Sequence, residues 1–289
     1  MNSTTSRRNI VVADSGGSKA AWGQIIDGKI LDKEISTSGL NAFFMDEDTI
    51  VNWVKTELLP QLEDSKVDVL YFYGAGCCHP DNIVKLTKAF SKVFEGAHIE
   101  VYPDTLAAAR SLCQRERGIA CIIGTGSSTC LYDGENIEQD RSGLGYVLGD
   151  EASGSYFGKI LLRSFVYGVL SEDLKRKLAE QFGEVTRDNI LENVYKKPFP
   201  SRYLGQFTRF YSANRGDEWI EKTLEKGFED FVTSHITELP DHKNLKANFV
   251  GSMPIVFKDV LEKVLTKHGV QVGNFQQTPI RGLTQYHNV

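Results

Sequence analysis

Asn9-Ile-Val-Val-Ala-Asp-Ser-Gly-Gly-Ser-Lys-Ala-Ala-Trp-Gly-Gln-Ile-Ile-Asp-Gly-Lys-Ile-Leu31 is the stretch on which the reading of the whole chain turns. Ile10 to Ala13 predicts a buried strand, Ser15 to Ser18 a Gly-rich turn, and the following residues a returning strand that reaches a second turn at Asp27-Gly28. The product is a hairpin with an unusual tip. Gly16 and Gly17 carry no Cβ and can take φ > 0, so successive N–H groups can converge on an anion, with the Ser18 hydroxyl and the Lys19 charge beside them. Such a tip suits a phosphate chain. Asp14, at the end of the first strand, would then hold hydrated Mg²⁺ against those phosphates, because Mg²⁺ takes oxygen ligands and keeps most of its waters. An ordinary Gly-Gly hairpin with a chance Asp explains this stretch equally well when it is taken alone.

A second copy changes that balance. Cys121-Ile-Ile-Gly-Thr-Gly-Ser-Ser-Thr-Cys-Leu-Tyr-Asp133-Gly134 repeats the order of apolar strand, Gly-rich tip with hydroxyl residues, second strand and Asp-Gly turn. Two such hairpins, each opening one half of the chain, resemble the two phosphate loops of the acetate and sugar kinase, Hsp70 and actin superfamily.

With 289 residues, 41% of them hydrophobic, the chain can support two cored domains. Its formal net charge of -5, from 33 basic and 38 acidic residues mixed along its length, leaves no basic stripe for nucleic acid. The apolar run behind the polar residues 1–8 stops at Asp14, too short for a signal-peptide core or a membrane span. A cytoplasmic protein with no membrane partner is expected. The five cysteines, Cys77, Cys78, Cys113, Cys121 and Cys130, form no Cys-x-x-Cys pair and read as reduced thiols. None of the six histidines shows metal-ligand spacing.

Between the hairpins, helices and strands alternate. Ser36 to Phe44 reads as a loop, and a helix from Asp46 runs to Pro60. A strand over 67–73 enters Gly74-Ala-Gly76, a helix opens at Pro80, a strand over 98–103 ends in Asp104, and an Ala-rich helix follows from Thr105. In open α/β sheets chemistry gathers at the carboxyl ends of strands, where Asp14, Gly74 and Asp104 all fall. As a bland alternative, Asp104 is simply a helix N-cap, worth on the order of 1 kcal/mol.

After the second hairpin, Gly143, Gly145 and Gly149 are wrongly spaced for a dinucleotide fingerprint. Asp150 and Glu151 precede a helix over 156–167, where carboxylates suit the helix dipole in any case. Residues 171–239 read as helical with one main break at Pro198-Phe-Pro200, and Trp219, Leu224, Phe228 and Phe231 mark the apolar face of a long helix. A strand ending at Gly251-Ser252, a helix after Pro254, a strand near Val270 and a short helix over 279–287 complete the order.

With these segments assigned, the chain resembles the N-acetylglucosamine kinase family, the BadF/BadG/BcrA/BcrD-type ATPase branch of that superfamily. The motifs that carry the likeness are Ala13-Asp-Ser-Gly-Gly-Ser-Lys19, Ile123-Gly-Thr-Gly-Ser127 and Leu148-Gly-Asp-Glu-Ala-Ser-Gly154, with weaker support from Gly251-Ser252 and residues 279–287. The resemblance implies an α/β fold of two related actin-like (ribonuclease H-like) domains with a nucleotide cleft between them and helical insertions in the second. Domain boundaries at 1–115 and 116–278 are expected, with the helix at 279–289 packing back on the first domain. It implies an ATP-dependent kinase acting on the 6-hydroxyl of an amino sugar, with N-acetylglucosamine ahead of glucosamine and N-acetylmuramic acid.

Carried over residue by residue, the resemblance implies that Ser18 and Thr125 touch ATP phosphates within tips formed by Gly16, Gly17, Lys19, Gly124 and Gly126. Asp14 organises Mg²⁺ through water. Gly251 and Ser252 match a turn beside the adenosine. Asn41 would bond a sugar hydroxyl, and Asp104 would bind the primary hydroxyl and act as general base. Ser127, Ser128, Gly143, Leu144, Gly145 and Asp150 fall where the family holds the amino sugar. The departures surround the sugar: Ser142-Gly-Leu-Gly145 replaces Gly-Gly-Trp-Gly, Pro103 replaces the Asn before the catalytic Asp, and Ser128 stands where Asn is frequent.

Two other readings compete. The branch also contains ATPases that activate 2-hydroxyacyl-CoA dehydratases and hold an iron-sulfur cluster through cysteines, but Cys77-Cys78 has no suitably spaced second pair. A non-catalytic ATP or sugar sensor is the other, against which Asp104 argues. An amino sugar is the expected small-molecule partner, nucleic acid is not expected, and homodimerisation is left open.

Overall fold

The computed structural model describes residues 8–16, 19–40, 42, 45–74 and 76–288. The chain divides into two compact units, the first formed by 1–116, 134–136 and 278–289 and the second by 117–133 and 137–277. Among the described residues no helix is long and apolar enough to cross a membrane.

In the first unit the run of Ile, Val and Ala makes β1 (Asn9–Ser15), buried along almost its whole length. It pairs antiparallel with β2 (Lys19–Ile26), and Asp27 and Gly28 between β2 and β3 (Lys29–Ile30) both take positive φ, 51° and 76°. A two-residue hairpin turn of that twist requires such φ at both positions, which explains the Asp-Gly pair. Beyond it, β4 (Ile35–Ser38) pairs with β2, where turn-forming residues predict loop. Ile35 and Thr37 alternate inward while Ser36 and Ser38 face out, so pairing with the buried strand β2 overrides their turn preference.

Helix α1 (Glu47–Trp53) is capped by Asp46, whose carboxylate accepts the Thr49 N–H at 2.8 Å. It tightens and loosens through a π turn at Val54–Leu58 and a 3₁₀ turn at Leu59–Gln61 that contains Pro60. Then β5 (Val69–Gly74), α2 (Pro80–Val93), β6 (His98–Pro103) and α3 (Asp104–Cys113) alternate as anticipated. The sheet runs β3-β2-β1-β5-β6, with β5 and β6 parallel to β1. Trp22, Phe72 and Phe90 form its aromatic centre, with ring centroids 5.9 and 5.0 Å apart.

The second unit repeats the path. Strands β7 (Gly118–Ile123), β8 (Ser127–Tyr132) and β9 (Ile137–Ser142) form a meander. After it come a one-turn helix α4 (Gly145–Leu148) and α5 (Gly154–Val166). The stretch expected to be helical with one break is cut into α6 (Glu172–Phe182), α7 (Arg187–Tyr195), α8 (Pro200–Gly205), α9 (Thr208–Ala213) and α10 (Glu218–Phe231). Gly183 and Gly216, at φ 74° and 90°, supply two of the breaks in addition to the prolines. After α10 the chain continues as a π turn at Val232–Ile236. Strand β10 (Lys246–Val250), α11 (Ser252–Val256), α12 (Lys258–Lys267) and β11 (Gln271–Gln276) follow. The sheet order is β11-β10-β7-β8-β9, with β10 parallel to both β7 and β11. Both units therefore consist of a three-strand antiparallel meander whose first strand leads into two parallel strands. That is the architecture of two related actin-like α/β domains, with the α4–α10 region as the helical insertion of the second.

Last, α13 (Ile280–His287) returns to the first unit. Gln114 Nε2 donates to the Gly282 carbonyl at 3.0 Å, and the His287 ring lies flat on Tyr71 with centroids 3.6 Å apart. Arg110 Nη1 donates to Tyr73 Oη at 2.9 Å, so the Tyr73 hydroxyl proton is directed to His287 Nε2, 2.8 Å away. Burial, reinforced by the cations Arg110 and Arg115, pushes His287 down to about 3 and keeps it neutral.

Candidate active site

In the first unit three parallel strands end level with one another. Strand register pairs Ser15 with Gly74 and Gly74 with Pro103, so Asp14 is at the end of β1 and Asp104 just past the end of β6, with β5 between. Two strand spacings put β1 and β6 about 10 Å apart. Asp104 is the first residue of α3, and the N-cap is Pro103, which has no side chain able to cap. Asp104 therefore stands one residue inside the N-cap position. Burial pushes the Asp14 carboxyl up to about 7, and the nearby Asp104 carboxylate adds to the shift. Cys77 lies close by and is buried, its thiol pushed up to about 12 by burial and then by Asp104.

The tip between β1 and β2 spans Gly16, Gly17 and Ser18, and Gly16 N–H donates to the Lys19 carbonyl at 3.0 Å. Gly17, Ser18 and Asn41 lie outside the described residues. Lys19 begins β2 and is exposed. For Mg²⁺, the donor set fits: Asp14 is a half-buried carboxyl beside a second acid, and a cation there would relieve the repulsion that raises it. Among the described residues no three His, Cys, Asp or Glu side chains group closely enough to enclose a metal. A water-mediated ion with one or two carboxylates needs no such cage.

In the second unit the tip between β7 and β8 again has three residues, Gly124, Thr125 and Gly126. Gly124 N–H donates to the Gly126 carbonyl at 2.9 Å, while the Gly124 and Thr125 carbonyls accept the N–H groups of Gly154 and Ser155 at 2.8 and 3.0 Å. The start of α5 thus braces the tip. Ser153, not Asp150 or Glu151, caps α5, its hydroxyl accepting the Tyr156 N–H at 3.2 Å. That leaves the two acids for other work. Gly251 packs against the Ile123 carbonyl at the base of the tip, and Ser252 opens α11 exposed to solvent.

Beside the tip, Asp150 Oδ1 accepts the Ser127 N–H at 3.2 Å in a buried setting. Burial raises its carboxyl and that N–H pulls it back. A Cβ on Gly143 would fall 2.2 Å from the Ser127 carbonyl and 2.9 Å from Asp150 Oδ1, so only Gly lets the backbone at 143 approach both. The Ser127 hydroxyl is buried and has no hydrogen-bond partner among the described residues. A buried hydroxyl of this kind is satisfied by water or by a ligand. Ser128, on the opposite face of β8, does not share that environment. Leu144 is exposed and Gly145 has open space around it.

A cavity of about 380 Å³ adjoins this cluster, lined among others by Gly143, Leu144, Gly149, Glu151 and His235. His235 Nε2 is 2.9 Å from Glu151 Oε2. Asp150 and Ala152, on either side of Glu151, take φ of 60° and 57°, so the Glu151–His235 contact holds a loop that is strained on both sides. Sequence reasoning missed this pair because His235 is 84 positions away in a π turn that no periodicity announces.

No protein-family model matches the chain, and no curated protein matches it. Among solved structures it is similar to a protein of Porphyromonas gingivalis provisionally described as an N-acetylglucosamine kinase, with 36% identity and a TM-score of 0.89 over 96% of this chain and 98% of that one. A Chromobacterium violaceum protein of the same provisional description shares 15% identity and a TM-score of 0.74, over 96% of this chain and 98% of its own. A ROK family glucokinase from Streptomyces griseus, in complex with glucose and AMPPNP, shares 16% identity and a TM-score of 0.53 over 96% and 97%. The last two likenesses concern the fold alone.

Proposed function

The chain belongs to the N-acetylglucosamine kinase family, and from that premise we propose that it transfers the γ-phosphoryl group of ATP to the 6-hydroxyl of an amino sugar, N-acetylglucosamine before glucosamine or N-acetylmuramic acid. The observation that carries the proposal is the pair of carboxylates at the ends of β1 and β6, near enough for Asp104 to raise Asp14. Phosphoryl transfer asks a protein for alignment, charge neutralisation and one base near the acceptor oxygen, with little covalent help.

Asp104 is assigned the base: it takes the proton of the 6-hydroxyl as that oxygen attacks phosphorus. Asp14 is assigned the water-mediated grip on Mg²⁺, which when bound neutralises phosphate charge. The tips at Gly16 to Lys19 and Gly124 to Gly126 are assigned to the phosphates, with Thr125 adding a hydroxyl, and Gly251 and Ser252 to the adenosine side. For the sugar, support comes from the Ser127 hydroxyl, the Asp150 carboxylate and the Gly143 backbone, a donor, an acceptor and a close approach within one cluster. Asn41, Ser128, Leu144 and Gly145 are assigned to the same ligand on the family likeness.

The test is ADP release from Mg-ATP with N-acetylglucosamine, N-acetylmuramic acid, glucosamine, N-acetylmannosamine and glucose, against a control without sugar. Turnover that depends on one amino sugar far ahead of the others is expected. Equal ADP release without sugar would replace the kinase with an ATPase.

A further inference from the structure

A second cavity of the second unit, about 770 Å³, lies along α5 and α7 and shares no lining residue with the cavity beside Asp150. Its volume is in the range of small-molecule sites. Tyr146, Tyr156, Tyr167 and Tyr195 contribute rings to it, and aliphatic side chains of α5 and α7 make up most of the remainder. Three cations, Lys159, Arg163 and Arg187, also line it, and no Asp or Glu does. In a chain with more acids than bases that is a local reversal of charge.

The two arginines are under-engaged. Lys159 Nζ donates to the Tyr146 carbonyl, which ties α4 to α5, and the Asp150 and Glu151 carboxylates act on its charge from outside the groove lining. Among the described residues no hydrogen bond or ion pair engages the Arg163 guanidinium, and Arg187 has only a 3.7 Å contact with its exposed neighbour Asp188. Tyr167 and Tyr195, at 75% and 78% exposure, leave large apolar rings open at the groove. Rings present flat apolar faces, and guanidinium groups pair with planar anions in a fork.

We propose that the groove along α5 and α7 is a binding site for a small soluble amphipathic anion, an acyl or aryl body carrying one carboxylate, sulfonate or phosphate. The body lies among the tyrosines and the aliphatic side chains, and the anion between Arg163 and Arg187. Complementary charge with an apolar body accounts for both features of the lining at once; a neutral apolar ligand leaves the cations unexplained, and a polar anion leaves the rings unexplained.

The probe is 1-anilinonaphthalene-8-sulfonate, compared by fluorescence titration with the neutral N-phenyl-1-naphthylamine. One saturable site for the sulfonate is expected, weakened about tenfold or more in the double variant Arg163→Glu/Arg187→Glu, with an unchanged thermal midpoint because both side chains are exposed. The neutral probe is expected to bind more weakly and to ignore the charge reversal. Equal affinity of the two probes, or sulfonate binding that survives the double variant, would reduce the groove to an apolar patch and overturn the proposal. Sedimentation that shows a dimer dissociated by Tyr195→Arg would assign the groove to a second copy and overturn it as well. None of these readouts depends on turnover, so they stand apart from the kinase assay.

Discussion

The two units share a strand path and a three-residue tip at the same point of it, yet their carboxylates live in opposite circumstances. In the first, Asp14 and Asp104 are brought near each other, and among the described residues no hydrogen bond engages the Asp14 carboxyl, which is pushed up to about 7. In the second, Asp150 is buried too, but receives the Ser127 N–H and is hemmed in by the backbones of Gly126 and Gly143. One repeated frame thus gives two environments. In the first, two acids are brought close enough for one to hold the other toward its protonated form; in the second, an acid is fixed by an N–H and by closely approaching backbone.

The sharpest way to break this contrast is Asp104→Asn, which removes the charge and keeps the shape. Turnover is expected to fall about 10²- to 10⁴-fold with an unchanged unfolding midpoint and retained ATP binding, measured by ADP release and calorimetry. Near-normal turnover would remove Asp104 from the mechanism. Gly143→Ala is the converse change, altering shape without charge. Its Cβ cannot sit 2.2 Å from the Ser127 carbonyl, so β8 or the loop must shift, at a cost of about 1–3 kcal/mol in denaturant unfolding and with weaker amino-sugar binding. Wild-type values for both would show that the close approach is not what forms the cluster.

A smaller and graded effect tests whether the ring buried under α13 stays uncharged in the folded first unit. His287 is neutral and its folded value, about 3, lies far below the ordinary 6.5. Between those values the unfolded chain binds the extra proton, so stability is complete above pH 6.5 and lost as pH falls toward 3. His287→Gln, which can still accept from Tyr73, should flatten that loss by about 2 kcal/mol between pH 6.5 and 5 in urea unfolding. Parallel curves for the two proteins would mean that His287 is protonated in the folded state after all.

Much of the frame was legible because it is local. Ile10 to Ala13 reads as a buried strand from its own side chains, and Asp27-Gly28 names its turn. Asp104 was placed at a strand end by the apolar residues before it and the Ala-rich helix after it. What escaped depends on partners remote in sequence. Ile35 to Ser38 is a strand only because β2 offers it an open edge. The Glu151–His235 contact, 84 residues apart, and the Tyr73–His287 contact, 214 apart, have no local signature. Ser153 as the cap of α5 escaped as well, since it shows its role only once the tip carbonyls and the start of the helix are seen together.

The return of α13 to the first unit bears on the order in which the protein can be made. A ribosome delivers residues 9–116 long before 280–287, so the nascent first unit has its sheet but not the helix that covers Tyr71, Tyr73 and Arg110. The second unit is continuous apart from 134–136 and can close as soon as it emerges. Synthesis therefore departs from the usual rule that the N-terminal domain matures first, since the first unit stays incomplete until the last helix is delivered. For the time it takes to translate the intervening stretch, the half that begins the chain is the half that waits.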